Sequence, residues 1–333
     1  MLKEKVLESI KKFNLIEDGD SLVLGVSGGP DSISMLNILR ELKEEKVINF
    51  NIVVSHINHG LRENAKIDEA YVKEYCEKYD IPFFVLHADV RKRAEEEKKG
   101  LEETGREVRY EYYDEVLEKT NSNKIAIAHN ANDYVETMIM NLLRGSGPNG
   151  LKGIEIKQGK YIRPLLECKR IEIEEYCEEE NLQPRHDESN DENDYTRNKI
   201  RNIVIPYIEK EFNPNIIETL TRLSEIIKEE QEFLNKKVED FYNEICLEET
   251  LDQDEKQIVL DLRKFNEEET VLQSKVILYS IQKIFGNTKG IEKKHVEDMV
   301  KLCNNNIGNK YLTPNKNTKI VIQNKKIYLK NQN

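Results

Sequence analysis

The sequence predicts an α/β protein: a doubly wound parallel sheet followed by a second, smaller and mainly helical domain that ends in a β-hairpin. Three observations carry this. In the first half, short apolar runs alternate with longer amphipathic stretches, as parallel strands joined by helical crossovers do. From Asn213 onward that alternation stops, and Ile216, Leu220, Leu223, Ile227 and Leu234 continue a single helical face. Near the end, Ile320-Val321-Ile322 and Ile327-Tyr328-Leu329 flank Asn324-Lys325, a hairpin pattern.

In chain order, the expected strands are 21–26, 51–57, 82–87 and 124–128, each apolar or β-branched and each followed by a helix-period segment. A linker helix over 213–245 leads from a first domain, 1–212, into a second, 246–333, whose helices cover 267–285 and 292–304. The length of 333 residues is enough for two domains that each bury a core. It excludes a small disulfide-stapled fold. The five cysteines show no C-x-x-C spacing, so reduced, buried thiols are expected rather than a zinc knuckle or a redox pair. No stretch approaches the ~20 uncharged apolar residues that a membrane helix needs. The start, Met1 to Lys5, mixes acids with bases, unlike a secretory signal. A cytoplasmic protein without a membrane partner is expected.

The chain carries 51 Lys and Arg against 63 Asp and Glu, a net charge of −12. That argues against indiscriminate nucleic-acid binding, because phosphate neutralisation supplies most non-specific affinity. The charge is unevenly spread. Residues 301–333 hold seven lysines and no acid, so the first 300 residues stand at 44 bases against 63 acids, or −19. Taken alone, such a basic segment reads as a solvated face.

The richest local signal is Leu22-Val23-Leu24-Gly25-Val26-Ser27-Gly28-Gly29-Pro30-Asp31-Ser32, followed by helix positions Ile33, Met35, Leu36 and Leu39. A buried strand ends in two glycines and a helix starts at once. Glycine lets the backbone curl until successive N–H groups share one concavity, and the helix start adds unsatisfied donors and positive dipole. Ser27 and Ser32 add hydroxyls, and Asp31 is suited to hold Mg²⁺ against phosphate oxygens. The bland alternative is a Gly-Gly turn with Asp31 as a helix cap. Neither the Walker A pattern nor G-x-G-x-x-G occurs at this loop.

His56-Ile57-Asn58-His59-Gly60-Leu61-Arg62 falls at the carboxyl end of the second strand, where α/β sheets place ligands. Arg62 suits a phosphate contact. The two histidines have no third metal ligand at a useful spacing. Arg106 and Arg109 share a helical face, as do Arg197 and Arg201; a solvated charge pattern would look the same. Asp133 and Glu136, at i and i+3 after the fourth strand, put two carboxylates on one face. Such a pair suits an ammonium group or the removal of its proton, while first-turn acids that merely favour the helix dipole remain the alternative. Leu142 to Leu151, Arg163-Pro164-Leu165-Leu166 and Asp187 to Arg201 say little singly.

Ser-Gly-Gly-x-Asp-Ser resembles the loop of the N-type ATP pyrophosphatases. Taken in order with His-x-Asn-His-x-Leu-Arg, Arg-x-x-Arg-Tyr, His-x-x-x-Asp-x-x-Glu-Thr, Arg-Gly-Ser-Gly-x-x-Gly-Leu, Arg-Pro-Leu-Leu and Asp-x-Ser-Asn…Arg-Asn-x-x-Arg, residues 20–206 resemble the tRNA(Ile)-lysidine synthetase family. Members adenylate O2 of the wobble cytidine of a tRNA(Ile) with a CAU anticodon; the ε-amine of free L-lysine then displaces AMP at C2.

The resemblance implies ATP and Mg²⁺ as cofactors and a catalytic set of Asp31, Asp133, Glu136, Arg109 and Arg197. Ser27, Gly28, Gly29, Pro30, Asp31, Ser32, His56 and Arg62 would hold the nucleotide, with Asp31 at the metal. Asp133, Glu136, Arg106, Arg201, Lys319 and Lys325 would contact lysine or tRNA, and 246–333 would recognise the tRNA. Many relatives carry Asp-Asp where this chain has Asn132-Asp133, and larger members continue into a further C-terminal domain, so this chain is either a short form or part of a longer one. The oligomeric state stays open, a homodimer among the options. A tRNA thiolase would share the ATP loop but typically needs paired cysteines or an iron–sulfur cluster; a nucleotide sensor or RNA-binding module would release no AMP.

Overall fold

A computed structural model describes residues 1–60, 65–185, 195–252, 256–305 and 310–331. The chain divides into two compact units, Met1–Ile227 and Lys228–Asn333.

In the first unit, β1 (Ser21–Gly25), β2 (Asn51–Asn58), β3 (Phe83–His87), β4 (Lys124–Ile127), β5 (Lys157–Gln158) and β6 (Tyr161–Ile162) form one sheet in the order β3-β2-β1-β4-β6-β5. All neighbours are parallel except β5 and β6. Both faces are covered, which is why the strands read as continuous apolar runs. Leu22 and Leu24 of β1 point into one core with Ile33, Leu36 and Ile10, while Val23 joins the opposite core with Val53, Tyr112, Tyr113 and Val116. The first core is filled from α1 (Leu2–Lys12), α2 (Pro30–Glu44), α3 (Ala65–Lys78) and α7 (Arg170–Glu179); the second from α5 (Leu101–Lys119), which α4 (Val90–Glu97) precedes.

The chain steps from β1 outward to β2 and β3, then returns to place β4 on the other side of β1. The order therefore reverses between β1 and β4, the kind of switch point at which open α/β sheets form a ligand crevice beyond the strands' carboxyl ends. Two helices start at that point: α2 after β1, and α6 (Ala131–Leu143) after β4. A third buried cluster joins Tyr134, Val135 and Met138 of α6 to Ile200, Ile205 and Ile217. These last come from a π-type stretch at Ile200–Val204 that follows α8 (Thr196–Lys199), from the start of α9 (Ile205–Glu211) and from the start of α10 (Ile216–Ile245).

The second unit holds a five-stranded antiparallel sheet in the order β7-β8-β11-β10-β9: β7 (Cys246–Leu251), β8 (Lys256–Asp261), β9 (Lys310–Leu312), β10 (Thr318–Gln323) and β11 (Lys326–Asn331). α11 (Leu262–Glu267), α12 (Thr270–Phe285) and α13 (Lys293–Asn304) pack on one face around Phe265, Ile277, Met299, Ile320 and Leu329. The expected hairpin is β10–β11, with Asn324 and Lys325 both at positive φ (51° and 60°), as a two-residue type I′ turn requires. The sheet is wider than the sequence reading allowed. β7 is mostly exposed and β9 has three residues, so neither carries an apolar run to announce it.

Candidate active site at the switch of strand order

The loop after β1 is curled around one hydroxyl. The amides of Ser27 and Gly28 both donate to Ser32 Oγ at 3.2 Å, and that hydroxyl donates to the Gly29 carbonyl at 3.0 Å. Gly28 adopts φ +98°, a region an L side chain rarely enters. Its carbonyl accepts from the Arg185 amide at 2.9 Å. Gly29 is the N-cap of α2, Pro30 stands in the first turn, and no side chain caps the helix. Loop amides and a helix N-terminus are thus gathered at the carboxyl end of β1, a set of donors suited to phosphate. Gly25, just before the bend, is fixed by packing: a Cβ there would lie 2.3 Å from the Tyr113 hydroxyl oxygen.

His56 is buried on β2, and its Nδ1 donates to the Val26 carbonyl at 2.8 Å. Burial holds its pKa below the ordinary histidine value despite that bond. It anchors the strand end that carries the loop. Arg62 lies outside the described residues, as do Asp187 to Asp194 of the seventh motif.

Asp31, in the first turn of α2, accepts from Asn130 Nδ2 at 2.8 Å. Burial, then the charge of Asp133, push its carboxyl up to about 6. Asn130 is the N-cap of α6: its Oδ1 accepts from the Asp133 amide at 3.0 Å, and Asp133 Oδ2 accepts from the Asn130 amide at 3.1 Å. This reciprocal capping box fixes Asp133 in place. Asn132 accepts the Arg170 amide at 3.0 Å through Oδ1 and so ties α6 to the start of α7. The acceptor it supplies is one a carboxylate would supply equally.

Asp133 and Glu136 meet the arginines of the segment beyond α7. Arg197 Nε donates to Glu136 Oε2 at 2.8 Å and its Nη2 to Asp133 Oδ1 at 3.1 Å. Arg201 Nε donates to Glu136 Oε1 at 2.6 Å and its Nη2 to Asp133 Oδ1 at 2.9 Å. Arg170 stands 3.6 Å from Glu136. Glu136 is fully buried. Burial alone would raise the Asp133 carboxyl, but Arg197, His129 and Arg201 outweigh it and hold it below the usual range. The acid pair that the sequence offered to an amine is therefore already paired with two guanidinium groups, so an incoming ammonium has to compete for those oxygens.

Arg109, half-buried on α5, adds its positive charge near His129 and Tyr113. Arg106 is exposed and stacks over Tyr110 at 5.3 Å. Lys319 and Lys325 belong to the second unit; the Lys319 ammonium lies 4.7 Å from the Tyr311 ring centroid, and Lys325 sits in the hairpin turn. The site also contains groups that spacing left without a role: Asn130, Arg170, His129 and Arg163. The signal that could have marked Asn130 is its position as a capping residue between a strand and a helix.

Among the described residues, no cluster of three His, Cys, Asp or Glu side chains could enclose a metal ion. Asp31 nonetheless fits Mg²⁺, which keeps several waters and takes one or two carboxylates plus substrate phosphates. A buried carboxyl pressed by a neighbouring acid, beside a phosphate-shaped loop, gains from a cation there. No helix among the described residues is long and apolar enough to cross a membrane.

A family model described as a PP-loop domain matches residues 2–208. The tRNA(Ile)-lysidine synthase of Clostridium acetobutylicum is 43% identical over 93% of this chain and 66% of its own length. That of Clostridioides difficile is 41% identical over 100% of this chain and 71% of its own. The chain thus spans about two thirds of the length of the curated relatives it matches. Among solved structures, the U34-tRNA thiolase NcsA from Methanococcus maripaludis, with its [4Fe-4S] cluster, is similar in fold: TM-score 0.55, 20% identity, 68% of this chain and 78% of that one. A nucleotide-shaped loop at β1, an acid pair at β4 and these relatives lead to one assignment: the chain belongs to the tRNA(Ile)-lysidine synthase family and carries that family's PP-loop domain.

Proposed function

We propose that this chain ligates free L-lysine to C2 of the wobble cytidine of a tRNA(Ile) with a CAU anticodon, consuming ATP and releasing pyrophosphate and AMP. The observation that carries the proposal is the bond from Asn130 to Asp31, which brings the loop after β1 and the acid pair after β4 to one crevice. In this reading, Ser27 to Ser32 hold the triphosphate and Asp31 holds Mg²⁺, which offsets charge on the phosphate oxygens. Cytidine O2 bonds to the α-phosphorus as pyrophosphate leaves. The lysine ε-amine then bonds to C2 as AMP leaves with O2.

The ε-ammonium has an unperturbed pKa of about 10.4 and must shed a proton before it attacks. Asp133 and Glu136 are the acceptors assigned to grip it, exchanging one guanidinium contact for the ammonium. Arg197, Arg201 and Arg109 then face the negative charge on the nucleotide. Residues 246–333, with the linker helix 213–245, are assigned to tRNA recognition, Lys319 and Lys325 among the contacts, and the protein to the cytoplasm. A single-turnover assay tests the core of this. AMP should appear only when ATP, Mg²⁺, lysine and the CAU tRNA are all present, with lysidine detected by mass spectrometry of the digested RNA. AMP release that ignores lysine, or none at all, would reject the proposal.

A further inference from the structure

Arg163, one residue beyond β6, is 3% exposed. Its Nη1 donates to the Glu155 carbonyl at 2.5 Å, and its Nε points at His129 Nδ1 at 3.1 Å. Guanidinium nitrogens donate only, and arginine stays protonated in proteins. The partner nitrogen must therefore present a lone pair, and a neutral imidazole that accepts at Nδ1 carries its proton at Nε2. A proton on Nδ1 would set one N–H against another within a buried cation's reach.

We propose that Arg163 is a positioning residue that fixes His129 as the neutral, Nε2-protonated tautomer, so that this ring offers the crevice a hydrogen-bond donor and not a base. His129 follows β4 directly, next to the Asn130 cap, with its amide donating to the Ile127 carbonyl at 3.0 Å. The charged groups that act on it are Asp133 from α6, Arg163 from the β6 end, Arg197 from α8 and Arg109 from α5. Burial and the three arginines outweigh the one acid and bring the ring down to about 4, which keeps it neutral near neutral pH. A neutral N–H donor fits an oxygen acceptor such as a phosphoryl group. That ligand role, unlike the tautomer, rests on the activity proposed above, and it leaves proton removal to the carboxylates.

The test uses the full chain with ¹⁵N-labelled histidine. Six histidines are present, and the His129 signals are identified as those lost in His129→Gln. At neutral pH the His129 ring should show protonated Nε2 and unprotonated Nδ1. Arg163→Met should let the Nδ1-protonated form appear, and Arg163→Lys, whose ammonium can still donate to Nδ1, should restore the original pattern. A wild-type ring protonated at Nδ1 overturns the proposal, and so does a pattern unchanged by Arg163→Met; should that variant fail to fold, the wild-type spectrum decides alone. For the ligand role, titration with AMP should shift the Nε2 signal, and Arg163→Met should lower kcat at least tenfold with little change in the KM for ATP. A loss confined to KM would refute it. If the wild type releases no lysine-dependent AMP, the proposed activity fails while the tautomer result still stands.

Discussion

Asn130 Nδ2 reaches Asp31 Oδ1 at 2.8 Å, joining the N-cap of α6 to the first turn of α2 beyond the carboxyl ends of the neighbouring strands β4 and β1. The same side chain caps α6 through its other amide atom, so one residue sets both the helix and the bridge. Asn130→Ala removes a helix cap, worth typically ~1 kcal/mol, together with the bond that offsets the burial of Asp31. Chemical denaturation should show a loss of about 1–2 kcal/mol. A loss near zero would mean that the bridge does not form in solution.

Asp31→Asn should stabilise the ligand-free protein while abolishing ATP-dependent turnover. Asp31 is held at about 6, above its ordinary 3.8. A carboxyl whose folded pKa is raised contributes most to stability when it is protonated, and that contribution is lost as pH rises through about 6. At pH 8 the ionised, buried group therefore costs stability, up to ~3 kcal/mol. Asn130 can still donate to the amide oxygen of the variant. Unfolding curves should diverge between pH 4 and 7 and then run parallel, with the variant on top; curves that coincide at pH 8 would contradict the assignment.

Removing one guanidinium from the acid pair leaves Glu136, which is fully buried, short of a counter-charge. Arg201→Met should cost about 3 kcal/mol, the usual scale for breaking a buried pair from one side. The further change Glu136→Gln should return a large part of that loss. Urea midpoints of the two singles and the double give the coupling directly, and simple additivity would argue against the pairing.

Gly25→Ala drives a Cβ to 2.3 Å from the Tyr113 hydroxyl oxygen and 2.5 Å from its Cζ. Overpacking of this kind costs typically 1–3 kcal/mol. In a Tyr113→Val background the same glycine change should be nearly neutral. A penalty of equal size in both backgrounds would place its cause in the backbone rather than in the ring.

Changing Lys316, Lys319, Lys325 and Lys326 together to Ala should weaken binding of the CAU tRNA and flatten its dependence on salt, each lost phosphate contact reducing the log–log slope by about 1. Filter binding between 50 and 200 mM salt is the measurement. Unchanged affinity and slope would remove this tail from the RNA-binding surface.

The parallel strands were legible because burial on both faces makes them uniformly apolar, as Leu22, Val23 and Leu24 illustrate. β7 and β9 were not, since one is mostly exposed and the other too short to show a period. At the site, motif order brought the loop after β1 and the acids after β4 into one account, but spacing is silent on what those acids touch. Arg197 and Arg201 stand 64 and 68 positions from Asp133, and the packing of α8 and of the π-type stretch Ile200–Val204 against α6 brings them back. The coupling of Arg163 to His129, 34 positions apart, was hidden for the same reason.

The tip of the β10–β11 hairpin carries a side chain where bare backbone would be more comfortable. Lys325 adopts φ 60°, a left-handed geometry that costs a side-chain-bearing residue roughly 1 kcal/mol more than glycine. Lys325→Gly should therefore make the hairpin more robust to heat and, at the same time, poorer in positive charge at its apex. If the proposed RNA contact holds, ruggedness and grip on RNA should move in opposite directions on that one substitution.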